Sequence, residues 1–147
     1  MSNKQIKSWI LQVSNGKTVL VANKVKSIHP VVDRIVRNLL EIDIIKYLRV
    51  DSDFIQASNE MEIKGRIKIP VTKQDHPTAV GVSLLMLYSI NTVQFYEMNS
   101  TIKGYGEKMV QAVLKSFPED WDLIVVMDSS GGFWDRMVEK YEKIRFF

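Results

Sequence analysis

The 147-residue sequence contains no cysteine and only two histidines. The first absence excludes disulfides, thiol catalysis and cysteine metal ligands, and nothing in the chain argues for secretion. His29 and His76 stand far apart with no partner pattern, so they read as surface residues rather than as a catalytic pair. No apolar run approaches the roughly 20 residues that a membrane helix needs, and no apolar leader segment follows Met1-Ser2-Asn3-Lys4. A soluble, cytoplasmic protein with no membrane partner is expected. Concentrated charge is missing as well. Twenty basic residues against 17 acidic ones give a formal charge of +3, which suits an anionic cofactor. A nucleic-acid domain shows a denser basic stripe, and aromatic residues are not interleaved with the lysines as stacking platforms, so no nucleic-acid partner is expected. Internal repeats, low-complexity tracts, Walker loops and the three-glycine dinucleotide fingerprint are all absent.

What is present is an ordinary globular composition, 46% apolar and 25% charged, in a chain long enough for one domain over residues 1–147. Trp9 to Val13 and Thr18 to Ala22 are β-prone runs around Asn15-Gly16, the strongest two-residue hairpin signal, which predicts an opening hairpin. The lysines near it (Lys4, Lys7, Lys17, Lys24, Lys26) read as solvated edge residues. A helix starts after Ser27-Ile28-His29-Pro30, with Asp33 in its first turn. Val32, Ile35, Val36, Leu39 and Leu40 form its apolar face, and the pattern continues through Ile44, Ile45 and Leu48, with a break near Glu41 to Asp43 as the alternative to one unbroken helix. Asp51-Ser52-Asp53 reads as a cap or turn, because a calcium loop would need further oxygen ligands.

Met61 to Ile69 alternates cleanly, Met61, Ile63, Gly65, Ile67 and Ile69 against Glu62, Lys64, Arg66 and Lys68, and predicts one strand with a solvated face. Ala79 to Ile90 predicts a central strand, and Thr92 to Tyr96 the next, in an antiparallel meander. Beyond them, Met109, Val110, Val113, Leu114 and Phe117 mark a helix that stops at Pro118. Asp122 to Met127 is a short buried strand, in a parallel pair by a right-handed crossover. Asp128 to Gly132 is a loop with N-cap groups. The last helix carries Phe133, Trp134, Met137, Val138 and Tyr141, and Phe146-Phe147 can add a β segment. The fold class is α+β, a mixed, mostly antiparallel sheet flanked by helices.

The most informative stretch joins the Tyr96 strand to the Met109 helix: Thr101-Ile102-Lys103-Gly104-Tyr105-Gly106-Glu107-Lys108. Glycine at such a junction permits φ > 0 and close approach of a ligand. The first helical turn adds unpaired N–H groups and the positive end of the dipole, which suits a phosphate. A tight strand-to-helix turn with no ligand fits the same two glycines.

Thr101-Ile102-Lys103-Gly104-Tyr105-Gly106 resembles the acetyl-CoA-binding signature of the GNAT family of N-acetyltransferases, Gln/Arg-x-x-Gly-x-Gly/Ala, with Thr101 in place of the Gln or Arg. Tyr141-Glu142-Lys143-Ile144-Arg145-Phe146 resembles that family's Tyr-Glu-Lys-Leu-Gly-Phe, with Arg145 in place of the glycine. The two motifs cover roughly the last half of the chain.

The resemblance implies a GNAT-like acyl-CoA N-acyltransferase fold in which the Gly104 and Asp122 strands splay apart around the pantetheine arm. The final hairpin would be short or missing, and the opening hairpin or a second subunit, in a homodimer, would complete that edge. It also implies acetyl-CoA as acyl donor and the primary amine of a small molecule or protein as acceptor. The backbone of Lys103, Gly104, Tyr105, Gly106 and Glu107 would hold the pyrophosphate, with Lys103 or Lys108 adding charge. An N–H near Met98, where the family's strand bulges, would face the thioester carbonyl. Tyr141 would be the general acid and Glu97 the general base, although a core aromatic and a solvated strand-end glutamate fit those positions too. Trp134 stands where the family has an asparagine and reads as packing or a pocket wall. The departures at Thr101 and Arg145 also suit a degenerate member that binds CoA or a protein partner without catalysis.

Overall fold

The computed structural model describes residues 3–126 and 131–147. The chain begins with a helix, α1 (Asn3–Val13), where the sequence predicts a strand. Ile6, Trp9 and Val13 are buried at i, i+3 and i+7, whereas Leu11 is exposed, a helical period that overrides the β-propensity of the run. Asn15 and Gly16 do take positive φ, but they end α1 instead of joining two strands. The strand that follows, β1 (Thr18–Val21), pairs in parallel with β2 (Tyr47–Val50). Between them lies α2 (Pro30–Leu40), whose N-cap His29 accepts the Val31 N–H on its ring Nδ1. Lys17 is no solvated edge lysine. Its ammonium donates to Leu40 O at 2.6 Å and Ile42 O at 2.8 Å, satisfying carbonyls at the end of α2, and burial pushes its pKa down.

The helix ends at Leu40, at the break expected near Glu41 to Asp43, and no helix resumes through Ile44, Ile45 and Leu48. Leu48 and Val50 are buried from β2, two residues apart, so they belong to a strand period. Asp51 to Asp53 turns β2 into β3 (Phe54–Ser58), its antiparallel neighbour. The predicted nine-residue strand Met61 to Ile69 is a hairpin, β4 (Met61–Lys64) and β5 (Ile67–Pro70), folded at Gly65 with φ +63°. The register pairs Ile63 with Lys68 and Glu62 with Ile69, so the apolar residues of the two arms leave on opposite faces, and alternation that runs unbroken along the sequence conceals the fold-back. The central strands come as expected: β6 (Val80–Leu87), a single 3-10 turn over 88–90, and β7 (Thr92–Ser100). Then follow α3 (Tyr105–Leu114), β8 (Asp122–Val125), α4 (Phe133–Lys140) and β9 (Ile144–Phe146). The predicted N-cap loop lies mostly outside the described residues.

The main sheet has the order β1-β2-β3-β6-β7-β8-β9, with β4 and β5 as a separate pair. Its middle, β2-β3-β6-β7, is antiparallel, and both flanks are parallel. The architecture is α+β with a mixed sheet, as the sequence suggests. β9 lies beside β8 as the last strand of the order, and α1 packs at the opposite end near β1, so no opening hairpin closes the β9 edge.

Alternate residues of each strand, among them Leu48, Ile55, Leu84, Val93 and Leu123, enter one core with residues of all four helices. The other face of the sheet carries Arg49, Gln56, Ser83 and Glu97, cross-strand neighbours in one row, and is overlaid by the β4–β5 hairpin and the segment after it. Burying the large apolar side chains of that core, about 1.5–3 kcal/mol each, is what holds helices and sheet together. Among the described residues no helix is long and apolar enough to cross a membrane.

Candidate functional site

Strands β7 and β8 pair in parallel as far as Phe95–Val125, and among the described residues β7 has no strand partner on that side from there to Ser100. Opposite β6 the register shifts between Ser83 and Leu84, so Tyr96 is the extra residue of a bulge. Side chains at 97 and 98 leave on opposite faces: Met98 lies across from Val82, on the helix face, and Glu97 across from Ser83, on the hairpin face. The backbone then turns at Gly104, φ +93°, into α3.

This turn is one wall of a cleft of about 510 Å³. Met98, Lys103, Gly104, Gly106 and Glu107 line it, five of the six residues predicted to contact a cofactor. Phe133, Trp134, Arg136 and Met137 of α4 form the facing wall, and Gln74 reaches it from the segment after β5. The turn closes with the Tyr105 N–H on Ile102 O at 3.4 Å and the Lys108 N–H on Gly104 O at 3.3 Å. The Gly106 and Glu107 N–H groups sit in the first turn, where an α-helix offers no acceptor of its own.

The two glycines serve different needs. Gly104 is required by its positive φ, and space is open where a side chain would stand. Gly106 is required by packing, since a Cβ there would lie 3.2 Å from the Phe133 ring. Trp134 is buried against Phe95, with ring centres 4.6 Å apart, and Phe133 meets it edge-on at 5.1 Å. Trp134 is thus both core packing and cleft wall.

Lys103 and Arg136 bring positive charge to the cleft, and Glu107 brings negative. The Glu107 carboxylate is turned onto α4, where it accepts from Lys140 Nζ and from the Tyr141 hydroxyl, both at 2.6 Å. The Lys140 hydrogen bond, followed by that from Tyr141, holds the Glu107 pKa below the usual carboxylate range. A lowered acid pKa means stability present above the ordinary carboxylate range and lost as the pH falls through the lowered value. Acid titration is therefore expected to release Glu107 from Lys140 and Tyr141 only below the ordinary carboxylate range. In NMR spectra, Tyr141 and Gly106 signals that move together in wild type, and not in Glu107→Gln, would verify this.

Other predicted residues lie apart from the cleft. The Tyr105 side chain points away, its hydroxyl donating to Asp43 Oδ1 at 2.9 Å, and Lys108 Nζ stands 4.6 Å over its ring. That hydrogen bond lowers the Asp43 pKa and raises that of Tyr105. Tyr141 also accepts from Gln111 Nε2 at 2.9 Å and lines a different groove, of about 760 Å³, between α3 and residues 41–43. That groove is larger, but no glycine turn or helix start opens into it.

Glu97, on the hairpin face, accepts from Thr72 Oγ1 at 3.0 Å, and the buried Thr72 and Ser83 hydroxyls are hydrogen-bonded to each other. With Thr72 donating to the carboxylate, Ser83 donates to Thr72, so the buried pair fixes the direction of Oε1. Sequence reasoning missed Gln74, Arg136 and the Thr72–Ser83 pair. None of them lies in a motif; they meet the site only through the sheet register and the packing of α4. No protein-family model, curated protein or solved structure matches the chain.

Proposed function

We propose that the protein is an N-acetyltransferase that moves an acetyl group from acetyl-CoA to a primary amine, with a GNAT-like arrangement of strands and cofactor. The observation that supports this reading best is the cleft itself. The glycine turn, the first turn of α3, Lys103 and Arg136 share it with the end of β7, beyond its last pair with β8 among the described residues. In this reading the Gly106 and Glu107 N–H groups and the two cations take the pyrophosphate, and the pantetheine arm lies between β7 and α4 against Met98 and Trp134. The thioester then reaches the end of β7 beyond Phe95.

In this reading the amine approaches on the hairpin face, beside Glu97 and Thr72. Glu97 takes its proton, the nitrogen attacks the carbonyl carbon, and a β7 backbone N–H near Met98 stabilises the oxyanion. The C–S bond breaks, and the thiolate receives a proton. For Tyr141 to supply that proton, its hydroxyl has to exchange Glu107 for the sulfur.

One observation favours a second reading, a protein of the same architecture that binds CoA or a protein partner without catalysis. The Tyr141 hydroxyl is held by Glu107 and Gln111 outside the cleft. Isothermal titration with acetyl-CoA and with CoA, on wild type and Gly104→Asp, tests both. Micromolar binding by wild type and its loss in the variant are expected, because aspartate adds a negative charge and a side chain strained at φ +93°. Absence of binding in wild type would overturn both CoA readings. Binding without turnover on a panel of amines would select the second.

A further inference from the structure

A second cavity, of about 660 Å³, opens where the ends of β1 and β2 meet the tip of the β4–β5 hairpin. Leu20, Val21 and Ile67 give it apolar walls. Around them stand four cations, Lys24, Arg49, Arg66 and Lys68, with one carboxylate, Asp51. The surplus of three positive charges equals the formal net charge of the whole chain.

The single carboxylate is already engaged. Asp51 accepts the Ser52 N–H at 2.7 Å and pairs with Lys24 and Arg49, each at 3.3 Å. Arg66 and Lys68 have no acidic partner among the described residues. The Arg49 side chain is only 15% exposed, yet its guanidinium makes one hydrogen bond, to Asp51, among the described residues. A guanidinium carries five N–H donors, so most of them have no acceptor among the described residues and are open to solvent. Like charges gathered around one cavity repel, and low-dielectric walls focus their potential on whatever enters. An anion removes the repulsion and fills the donor positions. A planar guanidinium fork beside a second cation matches the oxygens of a phosphate.

We propose that this cavity binds a phosphate-bearing anion through Arg49, Arg66 and Lys68, with the apolar walls available to an organic body attached to the phosphate. The site is built by β1, β2 and the hairpin tip, so it is separate from the Gly104 cleft and independent of the acetyltransferase reading.

The test is titration at low salt with inorganic pyrophosphate and, separately, with ADP. The proteins are wild type, the double variant Arg66→Ala/Lys68→Ala, and Gly104→Asp. Both hairpin side chains are exposed, so their removal leaves the fold intact. Loss of charge-assisted hydrogen bonds is expected to weaken binding at this site at least about tenfold in the double variant, whereas Gly104→Asp, which removes only what the Gly104 cleft takes up, keeps this saturable binding. Tighter binding of ADP than of pyrophosphate would identify a nucleotide-like ligand, and equal affinity a free inorganic anion. No saturable binding of either probe by wild type would overturn the proposal. So would binding that is lost in Gly104→Asp and kept in the double variant.

Discussion

Replacing Glu97 by glutamine is expected to leave acetyl-CoA affinity unchanged and to lower turnover by about 10²–10⁴-fold, the range for loss of a positioned general base. The separation of the two effects follows from the sheet. Glu97 and Met98 are neighbours on β7 but leave on opposite faces, so the carboxylate is not part of the cleft wall. Glutamine keeps the size of the side chain and an oxygen to accept from Thr72 Oγ1, so the local packing survives. Thiol release in the presence of an accepting amine gives kcat, and titration gives the affinity. Equal kcat in wild type and variant would remove Glu97 from the mechanism. Tyr141→Phe makes the companion measurement. A comparable fall in kcat at constant affinity would assign the tyrosine as acid, and an unchanged kcat would leave it as a clamp on Glu107.

The largest effect on stability is expected at Gly81. A Cβ at this position would stand 2.7 Å from Ala57 O and from Val71 O, and 2.9 Å from Ser58 Cβ. The first two are backbone atoms of β3 and of the segment after β5, so no rotamer change relieves the contact. Gly81→Ala must push the hairpin segment off the sheet or distort the β3–β6 ladder, a cost of about 2–3 kcal/mol. For a chain of this size that lowers the melting temperature by about 5–10 °C, measurable by calorimetry or urea unfolding. A change within about 0.5 kcal/mol, as for an indifferent surface site, would show that the segment over Gly81 is not held there. Gly106→Ala is the instructive contrast. Its new methyl meets the Phe133 side chain at 3.2 Å, and a ring can yield where a backbone carbonyl cannot.

The second half of the fold was legible because its elements carry one period each, bounded by strong punctuation. The expected helix over Met109, Val110, Val113 and Leu114 appears as α3, and its predicted Phe117 packs just past the helix end. Asp122 to Val125 is the short buried strand in a parallel pair, and Phe133, Trp134 and Met137 lie on α4 as the spacing suggests. The first half was misread for three identifiable reasons. Trp9 to Val13 combines β-prone residues with a helical burial period, and packing against α2, including the Trp9 Nε1 hydrogen bond to Asp33, decided for the helix. Ile44 to Leu48 carries on the apolar pattern of α2 beyond the break, but it is not helical, because the Lys17 ammonium, 23 residues before Leu40 and just ahead of β1, caps α2. Met61 to Ile69 hid a hairpin, because alternation runs unbroken along the sequence of both arms.

By itself the sequence determined the α+β class, the exclusion of cysteine chemistry and the strand-to-helix glycine turn at Gly104. Each of these is set by local residue type or by a single period along the chain. It also brought Met98, Lys103, Gly106 and Glu107 together, since residues this close in sequence at a strand end and a first helical turn have little room to part. The tertiary structure decided what faces them. Arg136 and Phe133 enter the cleft because α4 packs on the helix side of the sheet, and Gln74 because its segment reaches across the end of β7. It also decided which way the predicted residues point, with the Tyr105 side chain toward Asp43, Tyr141 toward Glu107 and Glu97 toward Thr72. The basic cavity at the hairpin tip likewise joins residues 24, 49, 66 and 68 through strand pairing and fold-back. Contacts between distant segments depend on register, bulges and side-chain packing, and these are properties of the closed sheet rather than of any window of sequence.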